Sequence, residues 1–148
     1  MIGIREMQID DLDQVMEIER ENFSVPWTEN GFFTFLFRQD ALFLVAVENE
    51  EILGYIGILM VPDDGDITNV AVKKSRQGEG IGKLLIEGMI EASGKQGVRN
   101  IFLEVRKSNA PAIHLYEKYG FVTEGVRKNY YDLPKEDALV MKRTDIER

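Results

Sequence analysis

The sequence predicts a mixed α/β fold, one sheet with helices on both faces. Three observations carry that prediction. Apolar side chains recur at helical spacing in some stretches, most clearly at Ile81, Leu84, Leu85, Met89 and Ala92. Other stretches are short apolar runs bounded by polar turns, the pattern of strands. The two kinds interleave in the order β-α-α-β-β-β-α-β-α-β-β.

Residues 2–5 read as a short strand. Asp10 or Asp11 caps a helix in which Leu12, Val15, Met16 and Ile18 recur at helical spacing. Residues 23–27 are a loop, and Thr28 caps a second helix from 29 to about 38. Residues 42–47 form an apolar strand, Glu48-Asn49-Glu50-Glu51 turns it, and 52–61 is the longer second strand of the hairpin. Pro62-Asp63-Asp64-Gly65-Asp66 is a turn, and 67–72 a further strand. The clearest helix runs from 80 to about 95 and stops at Gly97. Residues 101–106 are a strand. Residues 110–119 are a helix with Pro111 in its first turn, where a missing N–H costs nothing. Residues 121–126 and 138–143 are closing strands.

A length of 148 residues is one domain's worth, so residues 1–148 are expected to form one domain. Such a chain buries roughly 70% of its unfolded surface without staples. With 44% hydrophobic and 30% charged residues the balance is globular, not disordered. The absence of cysteine excludes a disulfide scaffold, a thiolate metal site and a cysteine nucleophile. His114 is the only histidine, which argues against a multi-histidine metal site, and no metal is expected. A formal net charge of −8 repels phosphate backbones and favours a basic partner, so nucleic acid is not expected. The first residues lack a basic segment followed by an apolar one, and no apolar run approaches the roughly 20 residues that span a bilayer. The expectation is a cytoplasmic protein without membrane association.

The most informative segment is the strand–turn–helix from Val70 to Lys83. Glycines let backbone N–H groups converge on one point, and the helix N-terminus adds partial positive charge. Together they can cradle a pyrophosphate. A P-loop fails here: Gly78 and Gly82 have three residues between them, and Lys83 is followed by Leu84. The dinucleotide fingerprint matches at Gly78 and Gly80, but Lys83 stands where a small residue must let helix and strand approach. The pattern Gln77-x-x-Gly80-x-Gly82 is a complete match to the acetyl-CoA pyrophosphate loop of the GNAT acetyltransferases. Taken alone, the loop could also be a glycine-rich helix start that binds nothing.

Further elements carry the resemblance. They are Asn69-Val70-Ala71-Val72, Leu103-Glu104-Val105-Arg106 and Asn109-Ala110, then Leu115-Tyr116-Glu117, Gly120-Phe121 and Asn129-Tyr130-Tyr131, with Pro26-Trp27 in the first half. From Ile67 to Met141 the chain resembles a GNAT domain. Within that family it looks most like the RimI branch, bacterial enzymes that acetylate the N-terminal alanine of a small-subunit ribosomal protein. The resemblance implies a GNAT fold: a mixed central sheet of about seven strands with the middle strands splayed, and about four helices on both faces. It implies acetyl-CoA as co-substrate, with pantetheine lying in the splay and pairing with the backbone of Val70, Ala71 and Val72. Gly78, Glu79, Gly80, Ile81, Gly82 and Lys83 would hold the pyrophosphate, and Asn109 would contact the cofactor near its thiol. Two departures stand out. Glu79 puts a carboxylate in a phosphate loop, and Gly78 fills a slot that is often basic.

Acetyl transfer to an amine needs a deprotonated amine, a stabilised oxyanion and a protonated leaving thiolate. An α-amine, with a pKa of about 7.7–8, asks less of a base than a lysine near 10.4. Strand alternation puts Phe102, Glu104 and Arg106 on one face. Glu104 read alone is a solvated or arginine-paired strand carboxylate; the resemblance makes it the general base, directly or through a water. Tyr116 read alone is helix core; the resemblance puts its phenol beside the CoA sulfur as the acid. His114 lies two residues earlier, about 200° around the helix, and should face elsewhere. Trp27, Tyr130 and Tyr131 are candidates for lining the acceptor groove, although Trp27 reads equally as a core anchor. At most one of the adjacent tyrosines should point inward. Phe32, Phe33, Phe35, Leu36 and Phe37 read as core and groove wall.

The expected function is acetylation of a protein N-terminal α-amine, an N-terminal alanine of a basic ribosomal protein. The transfer is direct within a ternary complex, since no cysteine can carry the acetyl group. The expected assembly is a monomer or weak oligomer. Two alternatives stay open: the same chemistry on a small-molecule amine or another protein terminus, and a CoA-binding module without turnover.

Overall fold

A computed structural model describes residues 1–145, and its central element is a seven-stranded sheet in the order β1-β2-β3-β4-β5-β7-β6. The strands are β1 Gly3–Glu6, β2 Ala41–Glu48, β3 Glu51–Val61, β4 Asp64–Val72, β5 Asn100–Arg106, β6 Val122–Asp132 and β7 Lys135–Thr144. The helices are α1 Leu12–Asn22, α2 Glu29–Leu36, α3 Ile81–Lys95 and α4 Ala110–Lys118. Neighbouring strands are antiparallel except β4 and β5, whose parallel pairing joins Asp64–Asp66 to Asn100–Phe102 and no further. Beyond that short seam the two strands part. The mixed sheet is the architecture the sequence pattern predicts, and its split is the one the family resemblance implies.

Alternation along β2 shows how the layers form. Leu42, Leu44 and Ala46 face a core shared with Ile81, Leu85 and Met89 of α3 and Tyr116 of α4. Phe43 and Val45 face a second core with Val15, Met16 and Ile18 of α1 and Phe32 of α2. Helices therefore cover both faces. Among the described residues no helix is long and apolar enough to cross a membrane.

The turns follow local chemistry. Asn49 and Glu50 both hold positive φ, as a two-residue hairpin of type I′ requires. Pro62 and Asp63 (φ +73°) are the centre of the next hairpin, so β4 begins at Asp64, and the five-residue turn expected at 62–66 contracts to these two. Thr28 caps α2 as expected, its Oγ1 accepting from Gly31 N–H at 3.0 Å.

Neither Asp10 nor Asp11 caps α1 with its side chain. A 3-10 turn over Ile9–Asp11 precedes the helix, and the Asp11 carboxylate turns back to accept from Gln8 N–H at 2.8 Å and from both Arg5 nitrogens at 2.8 and 2.9 Å. Burial pushes the Asp11 carboxyl up, but Arg5 and the Gln8 N–H outweigh it and hold the group below the ordinary range.

The two closing strands are longer than their apolar cores. In β6 a register irregularity between Arg127 and Tyr131 centres on Asn129, at φ +54°, whose N–H donates to Asp137 Oδ1 at 2.8 Å. Such a bulge re-aims the side chains that follow it.

Candidate active site

The split between β4 and β5 is where backbone groups come free. Lys73 N–H bonds the Leu53 carbonyl at 2.7 Å, so the hydrogen-bonded pairs with β3 fall at residues 53/73 and 55/71. The backbone groups of Ala71 therefore face β3, and those of Val70 and Val72 face the gap. The Val72 carbonyl is already engaged, accepting from Asn22 at 3.1 Å and from Gln77 at 3.2 Å. Gln77, the first residue of the loop motif, thus stitches the turn to the strand before it, and it also donates to Asn22 Oδ1 at 3.3 Å.

After β4 the chain makes a 3-10 turn over Lys74–Arg76 and then the glycine loop. Gly78 and Gly80 hold φ of +86° and +83°, and a Cβ at either would meet nothing within 4 Å. The requirement for glycine there is conformational, and the space around the loop is open. The first intrahelical bond of α3 runs from Leu84 N–H to the Gly80 carbonyl at 3.2 Å. The N–H groups of Ile81, Gly82 and Lys83 therefore point out of the helix end, beside the positive pole of its dipole. Ile81 offers only its N–H, because its side chain is buried in the core. The Glu79 carboxylate is drawn off by Arg76 Nε at 3.0 Å, and Arg76 also holds Glu48 at 3.0 Å. A carboxylate in the loop is thus neutralised from outside it. These residues fit a pyrophosphate, with the gap above Val70 leading away from it.

Past the gap, β5 carries Glu104, half-buried, with Arg127 Nε 3.4 Å from its carboxylate. Tyr116 of α4 is buried, its ring 5.7 Å from that of Phe121. Burial, and then the nearby Tyr131 hydroxyl, push its pKa up, so the phenol stays protonated at neutral pH. Among the described residues no hydrogen bond engages its hydroxyl. Tyr131 is half-buried and pushed up to about 12, first by burial and then by Tyr130, with Glu104 adding to the rise. Tyr131 thus lies within electrostatic reach of both Glu104 and Tyr116. Tyr130 is 49% exposed and meets Tyr131 edge-on at 5.0 Å. Asn109 caps α4, its Oδ1 accepting from Ala112 N–H at 3.3 Å, which leaves its amide N–H₂ for other partners.

Comparison with known proteins agrees with this geometry. Residues 12–121 match the acetyltransferase (GNAT) family. The chain belongs to the GNAT acetyltransferase family. A Bacillus subtilis protein provisionally named a ribosomal protein bS18-alanine N-acetyltransferase is 41% identical over 140 residues, covering 94% of this chain and 93% of that one. The Haemophilus influenzae ribosomal protein bS18-alanine N-acetyltransferase is 37% identical over 143 residues, covering 93% of this chain and 95% of that one. The crystal structure of the ribosomal-protein-S18-alanine N-acetyltransferase from Escherichia coli superposes with a TM-score of 0.90 at 33% identity, over 98% of this chain and 94% of that one.

In this GNAT chain the remaining sequence-derived residues divide. Trp27 is partly buried and packs on Phe32, Phe35 and Phe43 at centroid distances of 5.0, 5.1 and 6.1 Å, so it anchors the α1–α2 loop to the core. Phe33 and Phe37 do not join that core: they lie 43% and 64% exposed and pack on each other at 5.0 Å. His114 is exposed on α4, turned away from buried Tyr116.

Two groups went unread in the sequence. Glu19, 2% exposed, accepts from Trp27 N–H at 2.9 Å and from the Tyr55 hydroxyl, tying the loop to α1 and β3. Burial, then the Glu19 charge and hydrogen bond, push the Tyr55 hydroxyl up. A glutamate on the buried side of an amphipathic stripe was the available signal. Asn69, at the register shift of β4, keeps a buried Nδ2 without a hydrogen-bond partner among the described residues, while its Oδ1 accepts from Thr68 at 2.9 Å.

Proposed function

We propose that this chain transfers the acetyl group of acetyl-CoA to the α-amine of a protein N-terminus, with the N-terminal alanine of the bacterial ribosomal protein S18 as its acceptor, in the cytoplasm. The observation that carries the proposal is the split between β4 and β5. It has a phosphate-type cradle at one end and Glu104, Tyr131 and Tyr116 gathered beside it. The names of full-length relatives supply the acceptor.

Acetyl-CoA, when bound, supplies the activated acyl group. The N–H groups of the loop and of Ile81, Gly82 and Lys83 bind its pyrophosphate, with Gly78, Glu79 and Gly80 shaping the turn. Val70 and Val72 offer a strand edge to its pantetheine arm, on either side of Ala71, and the Asn109 amide lies toward its thiol end. Glu104 takes the proton of the arriving α-ammonium, whose pKa of about 7.7–8 makes a carboxylate adequate near neutral pH. Tyr116, protonated and buried, returns a proton to the departing thiolate. Tyr131, with Tyr130 beside it, walls the acceptor side, and Trp27 holds the α1–α2 loop in place from the core. The chain has no cysteine, so the acetyl group passes directly from donor to acceptor in one ternary complex.

The test is release of CoA thiol from acetyl-CoA with a basic peptide that begins in alanine. The control is the same peptide with its α-amine blocked and its lysines free. The protein adds no thiol background, having no cysteine. Release with the free terminus alone is expected. Release with neither peptide, but with small amines, would overturn the choice of acceptor.

A further inference from the structure

The carboxylate proposed as the base is already occupied by a cation. Arg127 Nε stands 3.4 Å from Glu104 Oε2, with 58% of the Arg127 side chain and 25% of the Glu104 side chain exposed. Strand register explains the meeting. Arg127 opposes Ala138 and Ala138 opposes Arg106, so Arg127 lies on the sheet face that carries Arg106 and Glu104. An acceptor α-amine reaches the site largely as ammonium at neutral pH, its pKa being about 8. Two cations then compete for one carboxylate.

Arg106 is not free to move. It donates to the Leu133 and Pro134 carbonyls at 3.2 and 2.8 Å and to Glu136 at 3.2 Å, and its guanidinium lies 4.2 Å from the Tyr131 ring centre. Arg127 is held far more loosely. Besides Glu104 it has the Tyr130 ring at 5.9 Å.

A second carboxylate lies on the same sheet face. Asp66 of β4 opposes Phe102 in the parallel seam, one alternate step before Glu104 on the same face. Burial, then Asp64, push the Asp66 carboxyl up, and the Arg127 charge offsets part of that rise. Among the described residues the Asp66 carboxylate has no hydrogen bond or ion pair of its own.

We infer that Arg127 is an exchangeable counter-ion: it holds Glu104 in the free enzyme, yields it to the acceptor's α-ammonium, and moves to Asp66 while the acceptor is bound. The inference rests on Glu104 being the base. It makes the groove selective, because a blocked or uncharged terminus cannot displace Arg127. Arg127 and Asp66 are positioning residues, acting through Glu104.

The experiment is a double-mutant cycle on peptide KM and kcat, using the alanine-initiated peptide. Arg127→Ala should lower peptide KM about fivefold, the size of an exposed ion pair, and leave kcat within about twofold. Arg127→Gln, which retains much of the side-chain stem over Tyr130, should do the same. Asp66→Asn should raise peptide KM about threefold when Arg127 is present and leave it unchanged in the Arg127→Ala background. A merely structural Asp66 would act equally in both backgrounds, and that result overturns the exchange. So does a peptide KM that rises or stays constant in both Arg127 variants. Glu104→Gln separates the two readings. If it loses kcat while acetyl-CoA still binds, the base stands and only the exchange is under test. If its kcat is that of the unaltered enzyme, the base reading fails and the exchange with it.

Discussion

Tyr116 illustrates how one residue satisfies two demands. Its ring is packed as a core side chain, against Phe121 and the sheet, and its hydroxyl is kept protonated by that burial. A proton donor to a thiolate must be protonated at the working pH; a phenol already is, and burial makes it a weaker acid. The helical stripe alone reads Tyr116 as core, which its packing bears out, and the proposed acid role concerns only the hydroxyl at the other end of the side chain. Tyr116→Phe therefore leaves the packing in place. It should lower kcat at least about tenfold, toward the lower part of the usual range for general acids. Acetyl-CoA affinity and the thermal midpoint should change little. Steady-state kinetics with a separate measurement of acetyl-CoA binding checks this, and an unchanged kcat would remove Tyr116 from the chemistry.

At the scale of elements, the α1–α2 loop depends on a carboxylate whose one sequence signal is its place on the buried side of an amphipathic stripe. Leu12, Val15, Met16 and Ile18 are legible as the buried side of α1 because apolar spacing announces them. Glu19 lies on the same side and reads as solvated, since burying an isolated carboxylate is costly. The cost is offset by two donors that arrive from distant parts of the chain, Trp27 N–H and the Tyr55 hydroxyl. Arg127 and Asp66 were missed for a related reason. Arg127 reaches Glu104, and Asp66 shares their sheet face, through register across β4 to β6, which local pattern does not contain. The extra length of β6 and β7 was hidden by a polar bulge where the apolar alternation stops. Glu19→Ala leaves both donors unpaired and should cost about 2–4 kcal/mol in stability. Glu19→Gln should cost about 1 kcal/mol, because the amide still accepts from Trp27 N–H while the Tyr55 hydroxyl reverses to accept from its N–H₂. Urea unfolding of both variants tests the order. Equal losses would mean that the carboxylate charge, which both substitutions remove, and not the number of hydrogen bonds, sets the role of Glu19.

At the scale of the whole molecule, the glycine loop was the most legible feature, since it is written in one contiguous segment, whereas the split between β4 and β5 joins distant segments and was implied only by the family resemblance. The charge of −8 is legible too, but its consequence depends on the acceptor. A field of that sign raises the local concentration of a basic peptide and leaves a neutral one unaffected. The Debye length shrinks from about 30 Å at 0.01 M salt to about 3 Å at 1 M, so long-range attraction is lost over that range while contacts within the groove persist. For a lysine- and arginine-rich peptide beginning in alanine, kcat/KM should fall about tenfold across that range, mostly through KM. For an alanine-initiated peptide without further charge it should fall less than about twofold, since only the α-ammonium is then screened. Equal salt dependence for the two peptides would mean that the acidic surface does not recruit the acceptor and that recognition is confined to the terminal amine. A steeper loss for the basic peptide would tie the composition of the whole chain to the class of acceptor proposed for it.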